Sequence, residues 1–321
     1  MMRNHLDDMV WRQQLREAKS FLRRKKKPLM RFLQVGTILL VFGFVLNALY
    51  SSWSDITEYT WEIRYGVLAA SFTISIVSAA FSAYLLKLII AELGANVSLR
   101  KTFRVFYLSQ LARYIPGMLW GILGWAYLAE REAGVRKTIS SAALILHLLF
   151  QVVSGVIVFV LSIPFWEDVP DTAGLIPVLL LLPVGLLFLQ PRLVRRIFNL
   201  GLRLAGEQPL DIEWGYRFVL MQLMLSIVAW VGRGLASFFL INSITYCAPS
   251  KFGVIVGAFA IAWVVGLVSV LTPSGLGVME ASITLLLSFS FPIYVAAIIA
   301  LVTRLTRTAG DLACAAIAWR L

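Results

Sequence analysis

Apolar runs long enough to cross a bilayer recur along this chain, separated by polar stretches whose charge alternates in sign. The runs fall at about 29–50, 65–91, 138–163, 174–190, 217–241, 252–271 and 293–318, each near the roughly 20 residues that a membrane-spanning helix needs. No ten-residue segments of alternating polarity occur, so a transmembrane β-barrel is not expected. The pattern predicts an all-α, polytopic helical membrane protein with about seven spanning helices.

The stretches between the runs give a direction. Arg23, Arg24, Lys25, Lys26 and Lys27 stand before the first run, and Asp55, Glu58 and Glu62 follow it with only Arg64 as counter-charge. Arg100, Lys101 and Arg104 follow the second run; Glu167, Asp168 and Asp171 follow the run at 138–163; Arg192, Arg195, Arg196 and Arg203 follow the next. Lysine and arginine favour the cytoplasmic side of a membrane, so the alternation predicts a cytoplasmic N-terminus. Residues 1–28 read as a basic tail in which Leu6, Met9, Val10, Leu15, Phe21 and Leu22 give weak amphipathic spacing. That tail is too long and polar for the n-region of a signal peptide. Residues 29–321 read as one transmembrane domain, because the longest polar connection, 191–215, is too short to hold a core.

Two stretches break the pattern. "ARYIPGMLWG" holds Arg113, Tyr114, Pro116, Gly117, Trp120 and Gly121 between two loops of inside type. A single crossing there would start and end on one side, so a re-entrant pair of short helices turning at Pro116-Gly117 is expected. In "TPSGLGVMEAS", Pro273 stops one helix, Gly275 and Gly277 allow a tight turn, and a short helix starts near Val278 and runs toward Phe291-Pro292. Proline removes a backbone donor and glycine frees the backbone, so both turns leave polar groups that lipid cannot satisfy. Such groups face protein or a wet cavity. Paired, interrupted segments in the two halves of a chain point to a transporter site.

Composition sharpens this picture. The chain is 60% hydrophobic and 14% charged, with a mean hydropathy of +0.83, whereas a soluble domain has about 25% charged residues. The net charge of +12 would suggest nucleic acid in a soluble protein. Here the basic residues cluster at the ends of apolar runs, which points to anionic headgroups and topology and away from nucleic acid. Cys247 and Cys314 lie in separate apolar segments and imply neither a disulfide frame nor a metal site.

A few charges lie inside the apolar runs. Glu280 is the sole charge between Lys251 and Arg304 and falls in the first turn of its short helix, where the helix dipole favours an acid. Arg304, Arg307 and Asp311 are three and four residues apart and share a helix face. Arg307 and Asp311 can pair with each other, which leaves Arg304 for Glu280. Arg233 sits between Gly232 and Gly234, and Arg113 stands at the first break. Each charge at bilayer depth costs about 2.5–3.5 kcal/mol, so such groups face a bundle interior and are matched. Arginines outnumber acids here, and a guanidinium pairs well with phosphate. The alternatives are a structural ion pair for Glu280 and snorkelling of Arg113 and Arg307 to a headgroup layer. His147, with Gln151 one turn on, is either a hydrogen-bonded packing residue or a relay, a role also open to Asp311. The chain has no Walker loop, G-x-S-x-G, H-E-x-x-H or metal-spaced aspartate pair, so neither a catalytic residue nor a metal or other cofactor is expected.

"RYIPGMLWG", "PSGLGVMEA" and the late "TRLTR" together resemble the transmembrane region of lysylphosphatidylglycerol synthases, a region that also exists as stand-alone, flippase-like proteins. The resemblance covers nearly the whole chain from about residue 30. It places Tyr114, Pro116 and Gly117 in one family element, Pro273, Gly275, Gly277 and Glu280 in another, and matches Arg304 to a late arginine. Ser274 stands where the family usually has glycine, and Met279 where it often has arginine. No glutamate lies between Lys137 and Glu167, where many members carry one. The soluble aminoacyl-transfer domain is not expected.

The expected function is translocation of an anionic phospholipid or a polyprenyl-phosphate-linked lipid through a polar cavity lined by Arg113, Tyr114, Pro116, Gly117, Trp120, Arg233, Pro273, Gly275, Gly277, Glu280, Arg304 and Arg307. The plasma membrane of a bacterium or archaeon is its expected place. The alternatives are an enzyme or enzyme subunit in lipid-linked glycosyl transfer, or a scaffold whose partner is a cytoplasmic glycosyltransferase.

Overall fold

The computed structural model describes residues 63–111, 120–166, 215–269 and 277–321, with Gly275 and isolated positions elsewhere. The tail 1–28, the runs at 29–50 and 174–190, and the first turn at 112–119 lie outside the described residues. Within them are eight α-helices and no strand: α1 (Tyr65–Glu92), α2 (Leu99–Gln110), α3 (Trp120–Ala133), α4 (Lys137–Ser162), α5 (Tyr216–Asn242), α6 (Phe252–Val268), α7 (Val278–Leu287) and α8 (Ile293–Arg320). Five helical stretches are long and apolar enough to cross a membrane: Tyr65–Glu92, Lys137–Phe165, Tyr216–Asn242, Pro249–Val268 and Ile293–Arg320. A helix satisfies its backbone internally, which is why apolar runs of this length adopt it in lipid.

Helix α1 lies antiparallel to α5 along its length. The Arg64 amide donates to Ser243 O at 2.8 Å, Ser71 Oγ to Ala236 O at 2.7 Å, and Gln222 Nε2 to Leu85 O at 3.2 Å. Helix α4 lies antiparallel to α6: Gly155 faces Val264, Gly257 faces Ser162 and Gly253 faces Phe165. Glycines at these crossings let the backbones approach, as close helix packing in lipid requires.

Helices α2 and α3 form a hairpin whose open ends share one end of the molecule. Arg104 in the first turns of α2 pairs with Glu132 in the last turn of α3 at 2.9 Å, and Lys137 pairs with Glu130 at 2.9 Å. Arg100 Nε also donates to the Leu321 carbonyl at 3.1 Å, which brings the end of α8 to the same place. Arg100, Lys101, Arg104, Arg131, Arg136, Lys137 and Arg320 therefore gather at one end, the basic end.

The second hairpin opens at the opposite end. Lys251 Nζ donates to the Ser290 carbonyl at 3.0 Å and lies 5.5 Å from the Phe291 ring, so the start of α6 meets the chain just past α7. The sequence pattern suggests a full crossing at 252–271 and a separate half-helix. The structure packs them as two arms of one hairpin: α7 has only 10 residues, about 15 Å of rise, and comes back beside α6, while Pro249–Val268 is itself long and apolar enough to cross.

These elements repeat. A long helix, a hairpin of two shorter helices and a second long helix make up α1–α4, and the same order makes up α5–α8. Because α1 and α5 run antiparallel, the second set is inverted relative to the first. Every substantial helix packing among the described residues has its image: α1–α2 and α5–α6, α2–α3 and α6–α7, α3–α4 and α7–α8, α4–α6 and α8–α2, α1–α4 and α5–α8, α4–α5 and α8–α1. The α1–α5 pair is its own image.

Candidate functional site

Gly275 and Gly277 shape the tip of the second hairpin. Gly275 has φ +66° and Gly277 φ +83°, a region that side chains with a Cβ rarely adopt. At Gly275 the chain also folds back onto α6, where an added Cβ would stand 2.7 Å from the Gly266 carbonyl oxygen. Both conditions require glycine, as the sequence indicates. Pro273 lies outside the described residues.

The turn delivers Glu280 to the first turn of α7. Its Oε2 accepts the Gly277 amide at 2.7 Å, closing the exposed start of the helix. Its Oε1 accepts from Arg304 Nη1 at 3.2 Å. The pair is largely buried, with side-chain exposures of 9% for Glu280 and 21% for Arg304. Arg304 stands about 17 Å from the start of α8 and about 24 Å from its end at 1.5 Å per residue, so the pair lies near the middle of that helix. The expected Glu280–Arg304 partnership is therefore present.

Two further arginines flank it. Arg307, one turn along α8, points its Nη1 at Met279 Sδ at 2.8 Å. Met279 thus offers Arg307 a soft acceptor. Arg233 comes from α5. Its Nη2 donates to Gln151 Oε1 at 2.9 Å, and its guanidinium lies 4.3 Å over the Trp230 ring. Arg233 is within electrostatic reach of both Arg307 and the Tyr107 hydroxyl. Asp311, half-buried, lies one turn beyond Arg307 on α8. His147 is buried on α4, with Nε2 3.3 Å from Ser82 Oγ and its ring edge-on to Phe106 at 6.1 Å.

Gly275, Gly277, Glu280, Arg304 and Arg307 thus converge at the second hairpin's tip, and Arg233, within electrostatic reach of Arg307, links this group to Gln151 of the first half. Arg113, Tyr114, Pro116 and Gly117 lie outside the described residues, and Trp120 is described only as the start of α3. Pattern reading does not foresee Trp230, Ser82 or Tyr107 beside these groups, since their proximity depends on register between helices. Gln151 was visible only as the residue one turn from His147. A surface opening lies apart from this region. It is a groove of about 650 Å³ at the basic end, lined by Ser98, Arg100, Lys101, Arg104, Val105, Glu132 and Leu321. The groove is a surface feature of the hairpin mouth, while the matched charges lie deep.

Helices long and apolar enough to span a bilayer, with largely buried, paired charges at the start of the short helix α7, define an integral membrane protein. Over residues 32–314 the chain matches the family described as the lysylphosphatidylglycerol synthase TM region, and it belongs to that family. The family points to a membrane protein tied to lipid modification or transport. Comparison with curated proteins and with solved structures gives no match.

Proposed function

We propose that this protein moves an anionic lipid, a phospholipid or a polyprenyl-phosphate-linked lipid, between membrane leaflets by passing its headgroup through the mid-depth site. One observation carries the reading: Glu280 is held between the Gly277 amide and Arg304 at the tip of the second hairpin, with Arg307 one turn from Arg304 and Arg233 within electrostatic reach of Arg307. Three guanidiniums against Glu280 and Asp311 leave positive charge at a depth where an unmatched arginine is costly. A phosphate entering there offers bidentate acceptors to arginine and can replace Glu280 as the partner of Arg304. Glu280 then holds Arg304 in place while no headgroup is present.

The inverted arrangement supports the same reading. Substrate sites of many transporters lie near the midplane, between inverted repeats and against discontinuous helices. The basic end, with Arg100, Lys101, Arg104 and Arg320, faces the cytoplasm in this proposal. The acyl or prenyl chains stay in lipid while the headgroup crosses.

Reconstitution into liposomes tests the proposal. Fluorescent phosphatidylglycerol and a labelled polyprenyl phosphate are placed in one leaflet, and their appearance in the other is followed by dithionite quenching. Exchange that is lost in Glu280→Gln and Arg304→Ala supports transport. Exchange equal to that of empty liposomes, or unchanged in both variants, refutes it.

A further inference from the structure

Between α1, α4 and α5 runs a second polar feature that the arginine site does not use. Four buried side-chain atoms there have no hydrogen-bond partner: His147 Nδ1, Gln151 Nε2, Gln222 Oε1 and Ser226 Oγ. Their residues are between 0% and 3% exposed. Leaving a buried polar atom unbonded costs about 1–3 kcal/mol, so four in one seam are a substantial penalty unless something occupies it.

Helix register places them together. Along the antiparallel α1–α5 pair, Ser78 faces Gly232 and Leu85 bonds Gln222, so Ser82 falls opposite Ser226. On α4, Gln151 reaches both Arg233 and the Trp230 indole, so His147, one turn earlier, falls at the level of Ser226. Ser82 Oγ touches His147 Nε2 at that level. Two serines facing an imidazole put small polar side chains where the three helices meet. Above this level lies the Gln151–Arg233 pair, and below it Gln222.

The unpartnered atoms select the occupant. Gln151 Nε2 is a donor, because the Oε1 of the same amide is committed to Arg233. Gln222 Oε1 is an acceptor, because its Nε2 is committed to Leu85 O. Ser226 Oγ and His147 Nδ1 serve either role. Among the described residues no carboxylate borders the seam, and Arg233 lies at its upper end, so a cation is disfavoured. The unpartnered acceptor at Gln222 disfavours an anion. A small neutral ligand that both donates and accepts fits all four. We propose that the seam is a site for internal water, a short hydrated column leading from Gln222 past His147 to the inner side of Arg233. Such waters bridge otherwise unsatisfied groups and are costly to remove.

The chain has two histidines, His5 and His147, which makes His147 directly readable. The full-length protein, labelled with ¹⁵N-histidine and ¹⁵N-backbone in lipid bilayers, is studied by water-edited solid-state NMR. His5→Ala removes the second imidazole signal. Magnetisation from water is expected to reach the His147 ring nitrogens several-fold faster than the amides of Ala258 and Ile261, which lie in the dry core of α6. Ser226→Val fills the space and is expected to slow that transfer to the dry rate. Gln222→Met, which removes the acceptor at similar volume, gives the same test should the valine variant not fold. Transfer to His147 as slow as to Ala258 overturns the proposal, as does fast transfer that neither substitution alters.

Discussion

At the scale of single residues, Glu280 has two partners and so two separable roles. Glu280→Gln keeps an acceptor for the Gly277 amide but leaves Arg304 without a counter-charge. Breaking a buried pair from one side costs about 3–5 kcal/mol, so reduced resistance to denaturant is expected for Glu280→Gln or Arg304→Ala alone. The double variant Glu280→Gln/Arg304→Gln should recover much of that stability and none of the lipid exchange, a contrast that unfolding and exchange assays on the same preparations will show. Gly275→Ala meets positive φ and the Gly266 carbonyl together, and is expected to lose at least about 1–3 kcal/mol, read as a lower melting midpoint. Cys247, in the connection before α6, has its thiol pushed up to about 11 by burial, with Lys251 opposing the shift. Little thiolate then exists at neutral pH, so alkylation of Cys247 in the folded protein should be slow at pH 7.5 and quicken as pH rises toward that value. The residue types at this scale were legible in the sequence. Glu280, Arg304 and the two glycines stand out because a charge or a break in an oily run is costly. Ser82, Gln222 and Ser226 did not stand out, since serine and glutamine are tolerated singly and become notable only when register brings several together.

At the scale of elements, helix limits followed from the apolar runs to within a few residues, as the close match of 65–91 to α1 and 293–318 to α8 shows. Hydrophobic length could not show whether α6 crosses or turns back. A 17-residue apolar helix looks the same in either case, and that its start meets the end of α7 follows from a contact outside the run, Lys251 to the Ser290 carbonyl. The two hairpins therefore open at opposite ends of the molecule. In a variant lacking both native cysteines, single cysteines at Gly134 and at Ser290 should react with a membrane-impermeant maleimide from opposite sides of a sealed vesicle. Labelling of both from one side would contradict the arrangement.

At the scale of the whole molecule, the inverted repetition of α1–α4 by α5–α8 was only partly visible beforehand. The chain shows two broken segments, but "YIPG" and "PSGLG" share chemistry more than spelling, and inversion is a property of packing direction. Aligning the helix starts makes Ser82 the counterpart of Arg233, and Gln151 the counterpart of Arg307. One half thus carries charge where the other carries neutral polar groups, which explains why a search for repeated residues finds little. An inverted pair of units has two related arrangements, reached by exchanging the roles of the halves. The tight α4–α6 crossing at Ser162 and Gly257 belongs to the arrangement seen here. A Cβ at Gly257 would stand 2.5 Å from Ser162 Cβ, so Gly257→Ala should force this crossing apart and lower the melting midpoint, and an unchanged midpoint would mean that the crossing yields easily.

The Glu280–Arg304 pair also bears on how the chain is made. When α7 leaves the ribosome its acid has no mate, because Arg304 lies 24 residues downstream on α8. A ten-residue segment carrying an unmatched carboxylate is too short and too costly to settle in the bilayer alone. During biogenesis α7 is therefore expected to stay at the water interface until α8 emerges, the two inserting as a neutralised unit. A nascent chain arrested before Arg304 should leave Glu280 accessible to aqueous reagents, and one arrested after α8 should not.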